Sequence, residues 1–166
     1  MSYSPSLESL AINDDELDKI GALNPVDVRF AAMNLLARRE HSQRELRQKL
    51  LRRFDNVVVI DEQIALLSDE NLQSDERFAC SYARMRSGRG FGPLKVRQEM
   101  RERGLSDQQI QDAFNALETS WFDLAEQAYK KKFGEDRPAD LKERSKRARF
   151  MQHRGFVSEH YAHFEE

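Results

Sequence analysis

The stretch SGRGFGPLKVRQEM, residues 87–100, places three glycines within five residues and follows them with Lys95 and Arg97. A glycine cluster beside cations fits either a loop that cradles phosphate or a turn that feeds a helix. The phosphate-loop pattern G-x-x-x-x-G-K-[ST] fails here, because Pro93 and Leu94 follow Gly92. A dinucleotide loop needs a preceding strand, whereas RFACSYARMR, residues 77–86, spaces Phe78, Tyr82 and Met85 as a helix does. Pro93 suits a first helical position, and Gly90 and Gly92 suit a turn with positive φ. The stretch predicts a turn into a helix, exposing backbone N–H groups beside Arg89, Lys95 and Arg97 for an anion.

Helix starts recur on both sides of this turn. Asn24-Pro25-Val26-Asp27 offers an N-cap, a proline at N1 and an acid in the first turn. Ser42 with Glu45, and Ser106 with Gln109, read as capping boxes, and Asp140 with Glu143 is the aspartate version. Asp61, Ser74, Ser120 and Ser158 are further expected caps. Apolar residues follow at helical spacing: Val26, Phe30, Met33 and Ala37 on one face, then Leu46 and Leu50, then Ile60, Ile64 and Leu67. The same spacing joins Val96 to Met100, Ile110 to Phe114 and Leu117, Trp121 to Ala125 and Ala128, Leu141 to Ala148 and Met151, and Val157 to Tyr161 and Phe164. Only NVVVI, residues 56–60, looks like a strand; with no ladder to join, it reads as the link into the helix capped by Asp61. Nine short helices are expected.

They repeat. RQKL (47–50) and RQEM (97–100) lie 50 residues apart, and Met151 falls 51 beyond Met100. RERGLS (101–106) resembles QHRGFVS (152–158), where a glycine can end a helix in the left-handed conformation. Phe30-Ala31, Phe78-Ala79 and Leu124-Ala125 mark the first helix of each unit, and Arg38, Arg86 and Lys132 stand seven residues past each alanine. The fold class is all-α, with three tandem three-helix repeats over 25–72, 74–118 and 120–166, stacked because none buries much apolar surface alone. Residues 1–23 form an acidic extension, either a mobile tail or a short helix over Leu7–Ile20.

Composition excludes several classes. With 7 glycines and 4 prolines in 166 residues the chain leans helical, and no apolar run approaches a membrane span. The single cysteine, Cys80, permits neither an internal disulfide nor a cysteine-based zinc site, which fits a reducing cytoplasm; its helical neighbours make it core filler. His160 and His163 stand i,i+3 but lack carboxylate or thiolate ligands at suitable spacing, so they read as surface histidines, and His41 beside the Ser42 cap as structural. No nucleophile, paired-acid or metal pattern appears. No catalytic residue, cofactor or metal is expected.

Charge is informative only by its distribution. Residues 1–25 carry five acids and Lys19, leaving 26 bases against 24 acids in the remainder. Residues 38–53 hold seven cations against two acids, residues 84–103 seven against two, and residues 130–154 ten against four. The excess recurs from the end of each first helix through the second, the footprint of a surface for a phosphate backbone or an acidic partner, without base-specific readout. The acidic extension could cover such a face in cis, in which case its deletion should tighten DNA binding at low salt.

The chain resembles the RecX family, bacterial regulators of the RecA recombinase, from about Phe30 onward. The family's R-x-H-S-x-x-E-L-x-x-K-L pattern is met by Arg39, His41, Ser42, Glu45, Leu46, Lys49 and Leu50. Its D-x-R-F-A is met by Asp75, Arg77, Phe78 and Ala79, and its G-[YF]-G-P-x-[RK]-[IV] by Gly90, Phe91, Gly92, Pro93, Lys95 and Val96. Where the family has a glycine and an aromatic before D-x-R-F-A, this chain has Glu70-Asn71-Leu72, which bears on the turn near residue 70. The resemblance implies an elongated, curved array that acts as a monomer without cofactor. It also implies binding in the groove of the RecA–DNA filament, on single- and double-stranded DNA without sequence specificity, restraining filament growth, strand exchange, ATP hydrolysis and co-protease activity. Arg44, Arg47, Arg89, Lys95, Arg97, Arg101 and Arg149 are the expected basic face. A general helical nucleic-acid-binding module without a dedicated protein partner is the alternative.

Overall fold

The computed structural model describes residues 24–164. Among these residues there are eight α-helices and no strands: α1 Pro25–Leu36, α2 Gln43–Leu50, α3 Val57–Asp69, α4 Asp75–Gly88, α5 Pro93–Glu102, α6 Asp107–Asn115, α7 Trp121–Phe133 and α8 Leu141–Arg154. Two 3-10 turns follow, Ser158–His160 and Ala162–Phe164. The expected helix over Leu7–Ile20 lies outside the described residues.

Local chemistry sets most of the starts. Asn24 accepts the Val26 N–H at 3.0 Å, Ser42 that of Glu45 at 3.1 Å and Ser74 that of Arg77 at 3.2 Å. Ser120 caps α7 through Asp123, and Asp140 caps α8 through Glu143 at 2.7 Å. Ser106 and Gln109 form the complete reciprocal box. Asp61 is not a cap. The helix begins four residues earlier, at Val57, with Asn56 accepting the Val59 N–H at 3.2 Å. The β-branched run has a mild helix penalty, which burial of Ile60, Ile64 and Leu67 overrides.

Two further expectations are corrected. Ser158 does not open an α-helix: His160, Tyr161 and Phe164 donate to carbonyls three residues back, closing 3-10 turns. This short segment is pinned where it stands by buried Phe156 and Tyr161. In α1 the face Val26, Phe30, Met33 and Ala37 points to solvent, and Val28, Ala31 and Ala32 are buried instead. Leu141 is likewise 80% exposed.

The chain divides into two compact units. Among the described residues the first comprises residues 24–39 together with Leu46–Gln73; its core gathers Val28, Ala31, Ala32, Leu46, Leu50, Phe54, Ile60, Ile64 and Leu67. At its α3 end Asn71 takes φ 58°, a left-handed conformation that asparagine tolerates, so the turn forms without the family's glycine.

The second unit comprises Glu40–Glu45 and everything from Ser74. It has two cores. One holds Phe78, Tyr82, Val96, Met100, Ile110 and Phe114; the other holds Leu124, Tyr129, Met151, Phe156 and Tyr161. Trp121 packs against both and meets Phe114 edge-on at 4.9 Å. Helix ends join head to tail here. The Gly92 N–H donates to the Arg154 carbonyl at 2.8 Å and the Leu94 N–H to the Gly155 carbonyl at 3.1 Å. Open donors at the start of α5 thus satisfy open acceptors at the end of α8. Ser42 repeats the motif, its hydroxyl donating to the Arg103 carbonyl at 2.7 Å.

Candidate functional site

The turn at residues 88–92 is not an anion nest. Its N–H groups are already used: Gly90 donates to Ser87, Phe91 to Arg86, Gly92 to Arg154 and Leu94 to Gly155. Gly90 has φ 79°, but Gly92 has φ −86° and is required for a different reason. A Cβ there would stand 2.5 Å from the Gly155 carbonyl carbon.

The turn instead walls one side of a cleft in the second unit, of about 350 Å³. Ser87, Gly88, Arg89 and Gly90 line it from the end of α4, Lys131 and Lys132 from the last turn of α7, and Phe150 and Arg154 from α8. Leu124 and Ala128 supply its apolar lining. Its charged lining residues are four cations and no carboxylate. Arg154 is held in place: its Nη1 donates to the Arg89 carbonyl at 3.1 Å, and its guanidinium lies 4.8 Å from the Phe91 ring and 5.1 Å from Phe150. A guanidinium so oriented keeps further N–H donors for a planar or tetrahedral oxyanion. Lys132 stands 5.9 Å from the Phe150 ring. Lys131 and Lys132 stand in the last turn of α7, where the helix dipole favours cations.

The first unit carries a second basic cleft, of about 550 Å³, lined by Asn34 and Arg38 at the end of α1, Lys49 of α2, and Arg52 and Arg53 beyond it. Its charged lining residues are again all cations.

Seven cations are the expected basic face: Arg44, Arg47, Arg89, Lys95, Arg97, Arg101 and Arg149. Of them, Arg89 alone lines the cleft of the second unit. Arg47 is bound by Asp61 through Nε at 2.6 Å and Nη2 at 3.2 Å, and Arg101 by Asp107 at 2.7 Å. These bonds raise both guanidinium pKa values and hold Asp107 below its ordinary range. Arg97 donates to Gln111 at 3.1 Å and lies 5.2 Å from the Phe114 ring. Lys95 stands 5.1 Å from the Phe91 ring, with its Cβ against Gly155. Arg44 is exposed beside Gly104. Arg149 is exposed in a hollow of mixed charge with Asp140, Lys142, Glu143 and Lys146.

Two other cations are structural. Arg147 is buried, bonded to Glu143, to the Asp136 carbonyl at 2.6 Å and to the Tyr129 hydroxyl at 3.3 Å. Arg86 grips Glu99 through Nε at 2.7 Å, and Tyr82 donates to the same carboxylate at 2.8 Å. Burial would raise the Glu99 pKa, but the bonds from Arg86 and Tyr82 outweigh it and the group sits below the usual carboxylate range. Burial, with the bond to Glu99, pushes Tyr82 up to about 12.

Lys131, Lys132 and Arg154 were legible only as part of a charge excess; their convergence with Arg89 needs the fold. Among the described residues no cluster of three His, Cys, Asp or Glu is placed to hold a metal, and no helix is long and apolar enough to cross a membrane.

The described residues thus form an all-helical repeat protein with a cleft of wholly basic charged lining in each unit. Family models for the first, second and third three-helix domains of RecX match residues 29–61, 74–113 and 118–160. The chain belongs to the RecX family. A protein of Pseudomonas putida named regulatory protein RecX is 39% identical over 132 residues, covering 80% of this chain and 85% of the relative. A regulatory protein RecX of Halorhodospira halophila is 40% identical over 132 residues, covering 80% and 82%. Crystal structures share the fold: one of a regulatory protein RecX at TM-score 0.70 and 16% identity, covering 93% of this chain and 78% of that one. Another, of RecX from Lactobacillus salivarius, has TM-score 0.67 and 21% identity, covering 89% and 95%.

Proposed function

We propose that this chain is a regulator, mainly negative, of the RecA recombinase. It binds the RecA–DNA filament and limits filament growth, strand exchange, ATP hydrolysis and co-protease activity. Family membership supports the partner. The observation that carries the DNA side is the pair of clefts whose charged lining is wholly basic, Arg89, Lys131, Lys132 and Arg154 in one, Arg38, Lys49, Arg52 and Arg53 in the other. Such sites suit phosphodiesters on single- or double-stranded DNA and read no sequence, because phosphate contacts position without specifying bases.

Two basic sites on one chain make the second contact intramolecular once the first has formed, so weak individual contacts add to useful avidity. The protein acts in this way as a monomer in the cytoplasm, without catalysis by the chain itself.

The test is the DNA-dependent ATPase of RecA. Sub-stoichiometric amounts of the chain are expected to inhibit it, and excess single-stranded DNA is expected not to relieve the inhibition. Relief by excess DNA would favour a general nucleic-acid-binding module without a protein partner. Lys131→Ala with Lys132→Ala is expected to lower the slope of log affinity against log salt by about two units, whereas Arg101→Ala, paired to Asp107, leaves it nearly unchanged.

A further inference from the structure

The two basic clefts differ in one respect that phosphate binding does not explain. Beside its cations the cleft of the first unit has aliphatic and polar side chains and, among the described residues, no aromatic ring. The cleft of the second unit has Phe150, set with Leu124 and Ala128. Phe150 is only half-buried although it packs against a core. Phe133 braces it edge-on, with ring centroids 5.2 Å apart and planes at 83°. The Arg154 guanidinium stands 5.1 Å and the Lys132 ammonium 5.9 Å from the Phe150 ring centroid.

We propose that this cleft receives one unstacked base of a single strand on Phe150 and Arg154, while Arg89, Lys131 and Lys132 hold the flanking phosphates. The proposal rests on the DNA reading above and adds to it a means of telling single from double strands. Three features of the site select this ligand. First, a phosphate needs cations and no apolar surface, whereas Leu124, Ala128 and Phe150 form a wall that water solvates poorly. A base has an apolar face and a polar edge, and it stacks on aromatic rings and on guanidinium planes alike. Second, the volume of about 350 Å³ falls at the lower end of small-ligand clefts, which run from about 300 to 1,000 Å³. A duplex keeps its bases stacked and paired inside, so it offers such a space only phosphates unless a base is extruded.

Third, Arg154 is held ready. Its Nη1 donates to the Arg89 carbonyl at 3.1 Å and its guanidinium lies 4.8 Å from the Phe91 centroid, so little side-chain freedom remains to be lost on binding. Phe91 stands outside the cleft lining and is also met by Arg86 at 3.7 Å and Lys95 at 5.1 Å. It is a positioning residue for Arg154. Stacking of this kind reads no sequence, because every base has a π face.

Stacking and phosphate contacts separate in their salt dependence: a neutralised phosphate releases counterions, and a stacked base releases none. The test measures the full chain and its variants on a fluorescent oligothymidylate and on a duplex of the same length. Phe150→Leu keeps an apolar side chain and is expected to weaken single-strand binding about tenfold, with the slope of log affinity against log salt unchanged. Its duplex affinity should stay at the wild-type value. Phe150→Tyr, which keeps a ring face, should bind the single strand as the wild type does. Lys131→Ala with Lys132→Ala should instead weaken both substrates and lower the slope. Equal losses on both substrates in Phe150→Leu, no loss at all, or a Phe150→Tyr as weak as Phe150→Leu overturns the stacking and leaves the phosphate reading standing.

A second measurement uses the wild type alone. An oligomer of the same length with abasic sugars in place of thymidines is expected to bind about tenfold more weakly than the oligothymidylate. Equal affinity for the two overturns the proposal. Thymidine monophosphate bound as tightly as the oligomer overturns it in favour of a free nucleotide. If the wild type binds neither strand nor duplex, the DNA reading itself fails and the stacking falls with it.

Discussion

Gly92 and Gly155 meet backbone to backbone: a Cβ on Gly92 would stand 2.5 Å from the Gly155 carbonyl carbon, and one on Gly155 would stand 2.5 Å from the Lys95 Cβ. Gly155 also has φ 91°, so it is constrained both by conformation and by space. Gly92→Ala is expected to lower stability by about 1–3 kcal/mol through overpacking against rigid backbone. Gly88→Ala, with nothing within 4 Å of its added Cβ, should be neutral or stabilise by up to about 1 kcal/mol. Urea midpoints of the two variants check the contrast, and equal losses would refute the close approach.

The Arg86–Glu99–Tyr82 cluster is shielded, its ion-paired side chains 16% and 19% exposed. Glu99→Gln removes a charge from two donors and is expected to cost about 1.5–3 kcal/mol. Because the folded Glu99 pKa lies below its unfolded value, its contribution is complete above the ordinary carboxylate range. That contribution is lost as pH falls through the folded pKa. The wild type should therefore lose more stability than Glu99→Gln between about pH 5 and pH 3, measured as unfolding free energy against pH.

His160 gives a second pH effect with a different window. Burial lowers its pKa below the ordinary 6.5, with the Glu159 charge acting in the opposite direction, and its Nδ1 accepts the Val157 N–H at 3.3 Å. The unfolded state takes up the proton first, so stability is full above 6.5 and falls as pH drops below it. Melting followed by the fluorescence of Trp121, which packs against the same core, should show a lower Tm at pH 5.5 than at pH 7.5. The difference should shrink in His160→Gln.

The start of α3 separates two residues that look alike in sequence. Asn56→Ala removes the cap and is expected to cost about 1 kcal/mol. Asp61→Ala removes an exposed ion pair with Arg47 and should cost less than that. Thermal unfolding of both variants checks the order.

Most helix starts were legible in the sequence because a cap is a contact within three residues. Asn24, Ser42, Ser74, Ser106, Ser120 and Asp140 are caps by local hydrogen bonding alone, and Gly104 and Gly155 take the left-handed endings that their motif suggests. The periodic apolar positions likewise specify helices, and their recurrence specifies tandem repeats. Local pattern misjudged residues 56–60, which read as a link into a helix capped by Asp61, whereas Asn56 caps a helix that already begins at Val57 and buries Ile60.

Only tertiary structure decides which face is inside and which cations converge. Helix α1 offers two apolar faces, and the larger side chains are on the one left in solvent, because the space facing α3 admits Val28, Ala31 and Ala32. The cleft is equally non-local: Arg154 reaches the Arg89 carbonyl across 65 residues of sequence. Helix identity depends on neighbours a turn away, whereas a binding surface depends on residues brought together by packing. The sequence alone therefore determined an all-helical repeat with recurring local excesses of positive charge, and the fold determined which of these cations line a cleft within each unit.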